Sequence, residues 1–384
     1  MIMSTLVITI IIIYLLGIGS MIYGFDKVDY FKIQDLKAKT KFSLVIPFRN
    51  EVENLPKLLT SISQLNYSKS LFEVILVDDE SEDDSISVIK KSLGVKSSKK
   101  DVHRNDNIKI IQNKRTSNSP KKDAITSAIV ISKSDWIITT DADCVLPKYL
   151  LDVFDECIQT KNPNCIVAPV TYRNSNSFFN RFQILDILSL QGATIGGFGL
   201  KKPFLCNGAN FAYRKSTFLN LNGFEGNLNI ASGDDIFLLE KFIKEDIKKV
   251  SYLKSEKAIV ATNPVNTGTE LIQQRLRWAS KTSRSTNAFS KIIGSIILLG
   301  NLASILLIPL VIFGYLTSKI AIALFVIKFS IDFLLLFKTS RFFKQETLLI
   351  SYISSSIIYP FFSIYIVILS LFKSYEWKGR TFKK

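Results

Sequence analysis

Histidine is nearly missing from this chain: His103 is the only one in 384 residues, and it stands in a lysine-rich polar stretch. A histidine-based catalytic triad and a histidine zinc site are thereby excluded. Cysteine is scarce too. Cys144, Cys157, Cys165 and Cys206 form no C-x-x-C pair and no disulfide-like spacing, as expected in a reducing compartment. Acid is short relative to base, 33 Asp and Glu against 49 Lys and Arg, for a formal net charge of +16. Such an excess suits nucleic acid, an anionic membrane surface or an anionic substrate. Zinc-finger spacing and helix-turn-helix signals are also missing, so nucleic acid has no support. The chemistry left to the chain is that of carboxylates, cations and a metal held by oxygen.

What the chain does have is long apolar runs, and they sit at its ends. Residues 4–24 are apolar enough to cross a bilayer as a helix of roughly 20 residues. No basic region precedes them and no small-x-small site follows, so they read as an uncleaved anchor. The organisation expected is an anchor over 1–25, a globular domain over 40–265, an interfacial helix over 266–290, a membrane region over 291–372 and a basic tail over 373–384. Lys27, Lys32, Lys37 and Lys39 follow the first run, and Lys373, Lys378, Arg380, Lys383 and Lys384 follow the last. These clusters mark cytoplasmic flanks that meet anionic lipid, which predicts an integral protein of the cell (inner) membrane with its globular part in the cytoplasm. Residues 292–316, 319–337 and 347–372 read as three further hydrophobic helices. Three crossings would carry the basic tail outside, so a re-entrant hairpin broken at Pro360 is expected to restore the parity.

The globular stretch repeats strand, acidic loop, helix. Residues 42–48 form a buried strand ending near Pro47, and Arg49 to Asn54 open a helix through Leu58, Leu59 and Ile62. Residues 72–77 form a second strand ending in Asp78 and Asp79. A solvated loop follows over 91–107, a third strand over 108–111, and a helix from Ser119 and Pro120 that carries Lys121 and Lys122. Amide groups at a helix start favour anions, so this lysine pair suits phosphate. The apolar strand Trp136 to Thr140 then runs into Asp141 and Asp143. Spaced i, i+2 on extended chain, the two acids face one volume and can hold a hard divalent cation. Repeated βα units of this kind imply a parallel sheet that gathers ligand groups at the strand ends.

Further on, Cys165 to Thr171 reads as a strand, and residues 178–199, interrupted by Gly192, Gly196, Gly197 and Gly199, as an interfacial helix and loop. Asp234 and Asp235 stand at a helix start. One serves as its N-cap, and the other is free to act as a general base. Gln274, Arg277 and Trp278 share one helical face by i, i+3, i+4 spacing.

Taken in order, Val45-Ile46-Pro47-Phe48-Arg49-Asn50-Glu51, Val77-Asp78-Asp79-Glu80-Ser81, Lys122-x-Ala124-Ile125, Asp141-x-Asp143, Gly233-Asp234-Asp235 and Gln274-x-x-Arg277-Trp278 resemble the motifs of membrane-bound family 2 glycosyltransferases. These inverting enzymes are related to cellulose synthase, hyaluronan synthase and ceramide glucosyltransferase. The tail segment Trp377-Lys378-Gly379-Arg380 is similar to the terminal motif of the ceramide-type branch. The resemblance implies a GT-A α/β fold with a parallel-dominated sheet, flanked by transmembrane helices, and a UDP-sugar donor. It also implies that Pro47, Asn50, Glu51, Asp78 and Asp79 bind uridine and ribose, and that Lys122 reaches the diphosphate. Asp141 and Asp143 would hold Mg²⁺ or Mn²⁺, and Asp235, or Asp234 in its place, would take the acceptor's proton. Gln274 and Arg277 would bind the donor, Arg277 at its diphosphate, and Trp278 would offer the acceptor a flat apolar wall. Asp234 departs from the Glu of many relatives, and Pro120 or Lys121 from a Gly. The acceptor implied is a lipid or lipid-linked glycan. A processive polysaccharide synthase subunit and a non-catalytic scaffold are the competing readings.

Overall fold

The computed structural model describes residues 2–94, 107–174 and 176–382. His103, most of the loop expected over 91–107, and Lys383 and Lys384 lie outside the described residues. The chain opens with α1 (Ile2–Lys27) and then alternates: β1 (Phe42–Phe48), α2 (Leu55–Ser63), β2 (Phe72–Asp78), α3 (Ser85–Ser92), β3 (Ile108–Gln112), α4 (Pro120–Ile131), β4 (Trp136–Thr139) and α5 (Leu150–Lys161). Next come β5 (Cys165–Val167), β6 (Val170–Tyr172), α6 (Phe178–Gly199), β7 (Phe211–Arg214), α7 (Lys215–Asn220), α8 (Ile236–Asp246), β8 (Val250–Tyr252) and β9 (Val260–Thr262). The chain ends with α9 (Gly268–Arg284), α10 (Ala288–Ile312), α11 (Ser318–Phe343), α12 (Tyr352–Phe372) and a hairpin of β10 (Tyr375–Trp377) and β11 (Arg380–Phe382).

Seven strands form one sheet in the order β3-β2-β1-β4-β7-β5-β8. β1, β2, β3 and β4 are mutually parallel, and β7 runs against both β4 and β5. The expected strand over 165–171 is in fact two, because the chain breaks at Ala168 and Pro169 and β6 joins β9 in a separate ladder. Side chains alternate across the sheet as the strand period requires. Leu44, Ile46 and Ile138 pack with α2 and α5 on one face. Val45, Ile75 and Ile137 pack with α4, α6 and α8 on the other, the face that also meets Phe25, Leu336 and Phe342 of the apolar helices.

Three expectations about local structure change. The helix after β1 begins at Leu55 and not at Arg49, because Asn50 takes a left-handed φ of 53° that no helix accommodates. Residues 178–199 make one unbroken helix. Its glycines are points of close approach: a Cβ on Gly196 would lie 2.4 Å from the Met21 carbonyl oxygen, and one on Gly199 would run into the Gly24 carbonyl. The third change is at Pro360, which does not break α12; the helix runs through it.

Among the described residues four helices are long and apolar enough to cross a membrane, α1, α10, α11 and the segment Glu346–Phe372 that contains α12. The first three alternate in direction. Ser4 at the start of α1 bonds the Tyr315 carbonyl in the α10–α11 turn, whereas Asp26 at its other end pairs with Lys338 late in α11. Both ends of α12, by contrast, are tied to the globular domain. Before it, Gln345 donates to the Tyr172 carbonyl at 2.8 Å; after it, Glu376 N donates to Gln273 at 2.9 Å. The tail therefore returns to the globular side through the short 3-10 turn Glu346–Ser351 and the lie of α12, without a hairpin at Pro360.

Candidate active site

β1 and β2 run in register, with Phe48 opposite Asp78, so the loops after them open at one edge of the sheet. Glu51 lies in the first loop, buried, accepting from Asn54 Nδ2 at 2.7 Å and paired with Lys378 at 2.7 Å. Asp79 lies in the second and accepts from Asn113 at 2.7 Å, Arg115 Nε at 2.8 Å and Arg380 at 2.7 Å. With Pro47 they line a cavity of about 540 Å³. Asn50 and Asp78 do not line it. Their polar atoms tie the loops together: Asn50 Oδ1 accepts from Glu82 N at 2.8 Å, and Asp78 accepts from Ser81 N and Gln112 Nε2 at 3.0 Å. In this structure neither side chain faces the cavity where the nucleoside was expected to meet both.

β4 stops at Thr139, so Asp141 and Asp143 sit on a turn beyond the strand, closed by Cys144 N to the Asp141 carbonyl at 3.2 Å. Both acids still border the same space. Burial, with the charges of Asp141 and Glu51 behind it, pushes the Asp143 carboxyl up to about 6. The lysine that meets the acids is Lys121, 2.7 Å from Asp141 and 3.1 Å from Asp234. Burial alone would depress its ammonium, but Asp141 and Asp234 hold it above the usual lysine range. Lys122 turns the other way. It is fully buried, donates to the carbonyls of Asn227 and Ile230 at 2.8 Å, and lies 5.2 Å from the centre of the Phe237 ring. The rotation of the first turn of α4 thus turns Lys122 away from the place expected for phosphate and puts Lys121 there.

Gly233, with φ of 83°, turns the chain into α8, and Asp235 is its N-cap, accepting from Ile236 N at 2.8 Å. Both Asp235 oxygens also face Lys281, at 2.8 and 3.0 Å, and Gly208 N donates at 3.3 Å. Burial would raise the Asp235 carboxyl, yet the Lys281 ammonium keeps it below the ordinary aspartate value. Asp234, also buried, has Lys121 as its charged partner.

α9 brings Gln274, Arg277 and Trp278 to the same place. Arg277 lies over the Trp377 ring at 5.2 Å, joining α9 to the tail hairpin. Sequence reasoning missed two partners. Lys281 lies one helical turn beyond Arg277, so the face that gathered the motif extends to it. Asp186, a lone acid in apolar α6, forms a buried pair with Arg275 at 2.7 Å. Its isolation was the signal, since a buried charge requires a partner.

The second cavity, about 330 Å³, contains Asp234, Asp235 and Trp278 and is walled by α6 and α12. Lys121, Asp141, Asp143, Gln274 and Arg277 line both cavities, so the two meet there. A divalent cation suits this junction. Asp141 and Asp143 offer hard oxygen donors, and the raised Asp143 carboxyl reflects its burial first and then the charge of Asp141 beside it. Among the described residues no set of three or more His, Cys, Asp and Glu forms a metal cage. Phosphate and water oxygens would therefore complete the shell.

Residues 43–221 match the family model described as Glycosyl transferase family 2, and residues 136–372 match Glycosyl transferase family group 2. Poly(ribitol-phosphate) beta-N-acetylglucosaminyltransferase TarS of Staphylococcus aureus is 28% identical over 112 residues, 29% of this chain and 18% of the relative. Undecaprenyl-phosphate 4-deoxy-4-formamido-L-arabinose transferase of Proteus mirabilis is 34% identical over 108 residues, 28% of this chain and 30% of that one. The chain thus spans less than a third of either relative. The mannosyltransferase PcManGT of Pyrobaculum calidifontis, solved with GDP-Man and Mn²⁺, has a similar fold: TM-score 0.55, 15% identity, covering 92% of this chain and 98% of that one.

Proposed function

The chain belongs to glycosyltransferase family 2, and from that premise we propose that it moves a single sugar from a UDP-sugar to the hydroxyl of a lipid or lipid-linked acceptor at the membrane face. One observation carries the proposal: a cavity at the strand ends, lined by Glu51, Asp79 and Lys378, and a second cavity bordered by the apolar helices α6 and α12 meet at Lys121, Asp141, Asp143, Gln274 and Arg277. That is the arrangement needed by a soluble donor and a membrane-borne acceptor that must react.

Pro47, Glu51 and Asp79 would hold the nucleoside, and Lys121 and Arg277 the diphosphate, with charge-assisted bonds. A cation on Asp141 and Asp143, when bound, would neutralise charge on the departing diphosphate. The acceptor oxygen forms its bond to the anomeric carbon as the bond from that carbon to the diphosphate oxygen breaks. The bonding electrons leave with UDP, and the hydroxyl proton passes to the Asp234 and Asp235 pair. One base suffices for such an inverting displacement. Asp235 takes the proton once Lys281 releases it; Asp234, whose ammonium neighbour is shared with Asp141, stands beside it. The Arg380 and Lys378 contacts occupy the carboxylates assigned to the nucleoside, so the hairpin and the donor compete for Asp79 and Glu51.

The test follows UDP release by the full chain in lipid nanodiscs, with a panel of UDP-sugars, Mn²⁺ or Mg²⁺, and extracted membrane lipid. Release that requires one sugar, the cation, lipid and Asp235 is the expected result. Absence of donor binding under every condition would overturn the proposal in favour of a scaffold.

A further inference from the structure

We infer that the acceptor is an uncharged amphiphile, a free hydroxyl on an apolar tail, and not a lipid phosphate. This rests on the transferase reading above and adds the chemical class of its acceptor.

The inference comes from the charges around the membrane-side cavity. Three of the four cations that line it are already paired there: Lys121 with Asp141 and Asp234 at 2.7 and 3.1 Å, Arg275 with Asp186 at 2.7 Å, and Lys281 with Asp235 at 2.8 Å. The fourth, Arg277, also lines the donor cavity, and it and Lys121 are the two cations assigned to the donor's diphosphate. Five carboxylates face these four cations, so the lining is negative before any substrate arrives. The donor's diphosphate and a divalent cation cancel one another. An acceptor phosphate would then bring negative charge into a partly dehydrated space beside Asp186, Asp234 and Asp235, where like charges repel far more strongly than in water.

A hydroxyl meets none of this opposition. It needs a nearby proton acceptor, which the Asp234 and Asp235 pair supplies, whereas a phosphate oxygen is a nucleophile without one. The remaining wall fits the rest of such a molecule. Ile187 and Leu190 of α6 and Phe362, Ile366 and Val367 of α12 line this cavity with apolar side chains. The hydroxyl end would lie at the aspartates and the tail along α12.

Farnesol and farnesyl phosphate share a tail and differ in the head group at issue, a neutral hydroxyl against a charged phosphate. Full-length protein in phosphatidylcholine nanodiscs is first tested by equilibrium dialysis for binding of UDP-glucose and UDP-N-acetylglucosamine with Mg²⁺. It is then loaded with UDP and Mg²⁺ and titrated with each lipid, following tryptophan fluorescence. Farnesol is expected to bind at least about tenfold more tightly. Asp235→Asn should narrow the gap, since it removes a carboxylate and frees Lys281. Equal or tighter binding of farnesyl phosphate overturns the inference, as does failure of the UDP-loaded protein to bind either lipid. Failure at the dialysis step overturns the transferase reading itself, and this inference with it.

Discussion

Adjacent lysines at the start of α4 have opposite duties, and exchanging each for methionine separates them. Lys121 stands between Asp141 and Asp234, where a donor diphosphate would meet it. A hydrogen bond to a charged group contributes about 1.5–3 kcal/mol. Lys121→Met should therefore lower kcat/KM for the donor by about one to two powers of ten, with the fold intact. Lys122 holds the loop carbonyls of Asn227 and Ile230, and Lys122→Met leaves both without that donor, a cost of about 1–3 kcal/mol. Its effect should appear as a fall of several degrees in Tm. Burial pushes the Lys122 amine down to about 8 from 10.5. Between those values the unfolded chain holds the proton and the folded chain does not, so stability rises with pH across the window. The stability advantage of the wild-type protein over Lys122→Met should grow from pH 8 to pH 10.5. UDP release and differential scanning fluorimetry in nanodiscs read the two effects. If Lys122→Met lost turnover at unchanged Tm while Lys121→Met kept its activity, the assignment of the pair would be wrong.

Four other outcomes are expected. Asp235→Asn should cut transfer by about 10²–10⁴-fold with UDP affinity retained, measured by product formation beside calorimetric titration. Chelation with EDTA should stop turnover, and Mn²⁺ or Mg²⁺ should restore it; unchanged activity after exhaustive chelation would refute a cation at Asp141 and Asp143. UDP should speed hydrogen exchange in residues 375–382, because it displaces Lys378 from Glu51 and Arg380 from Asp79; slower exchange would show that the hairpin closes over the nucleotide instead. Gly196→Val should destabilise the chain by about 1–3 kcal/mol through its clash with Met21, whereas Gly19→Ala, which has open space, should leave Tm unchanged.

The sheet was legible because its central strands are nearly pure apolar runs that end in acid, and neither burial nor chemistry offers such runs another place. The motif residues that line the cavities, among them Asp79, Asp141, Asp235 and Arg277, were legible for the same reason: each stands at the end or on the marked face of a regular element. Asn50, Asp78 and Lys122 were misplaced by one residue's rotation in a loop or first helical turn, which depends on partners such as Glu82, Gln112 and Asn227 far along the chain. Asp186 and Arg275 share no spacing rule, since the fold brings them together across 89 positions. The glycines of α6 read as breaks because a sequence shows their flexibility, while the backbone of α1 that passes against them is a tertiary fact.

α12 separates two cavities. Tyr359, Phe362 and Ile366 face the cavity that holds Asp234 and Asp235, the acceptor space proposed above, while Ile357, Pro360 and Phe361 face a cavity of about 430 Å³ bordered by α10 and α11. With both ends fastened to the globular domain, the helix cannot follow the bilayer by sliding along its own axis. Lateral pressure in the lipid would instead press it sideways, against the acceptor space. Acyl-chain length and tension would thereby act on turnover mechanically, and the thickness of the host membrane becomes a variable of the reaction in its own right.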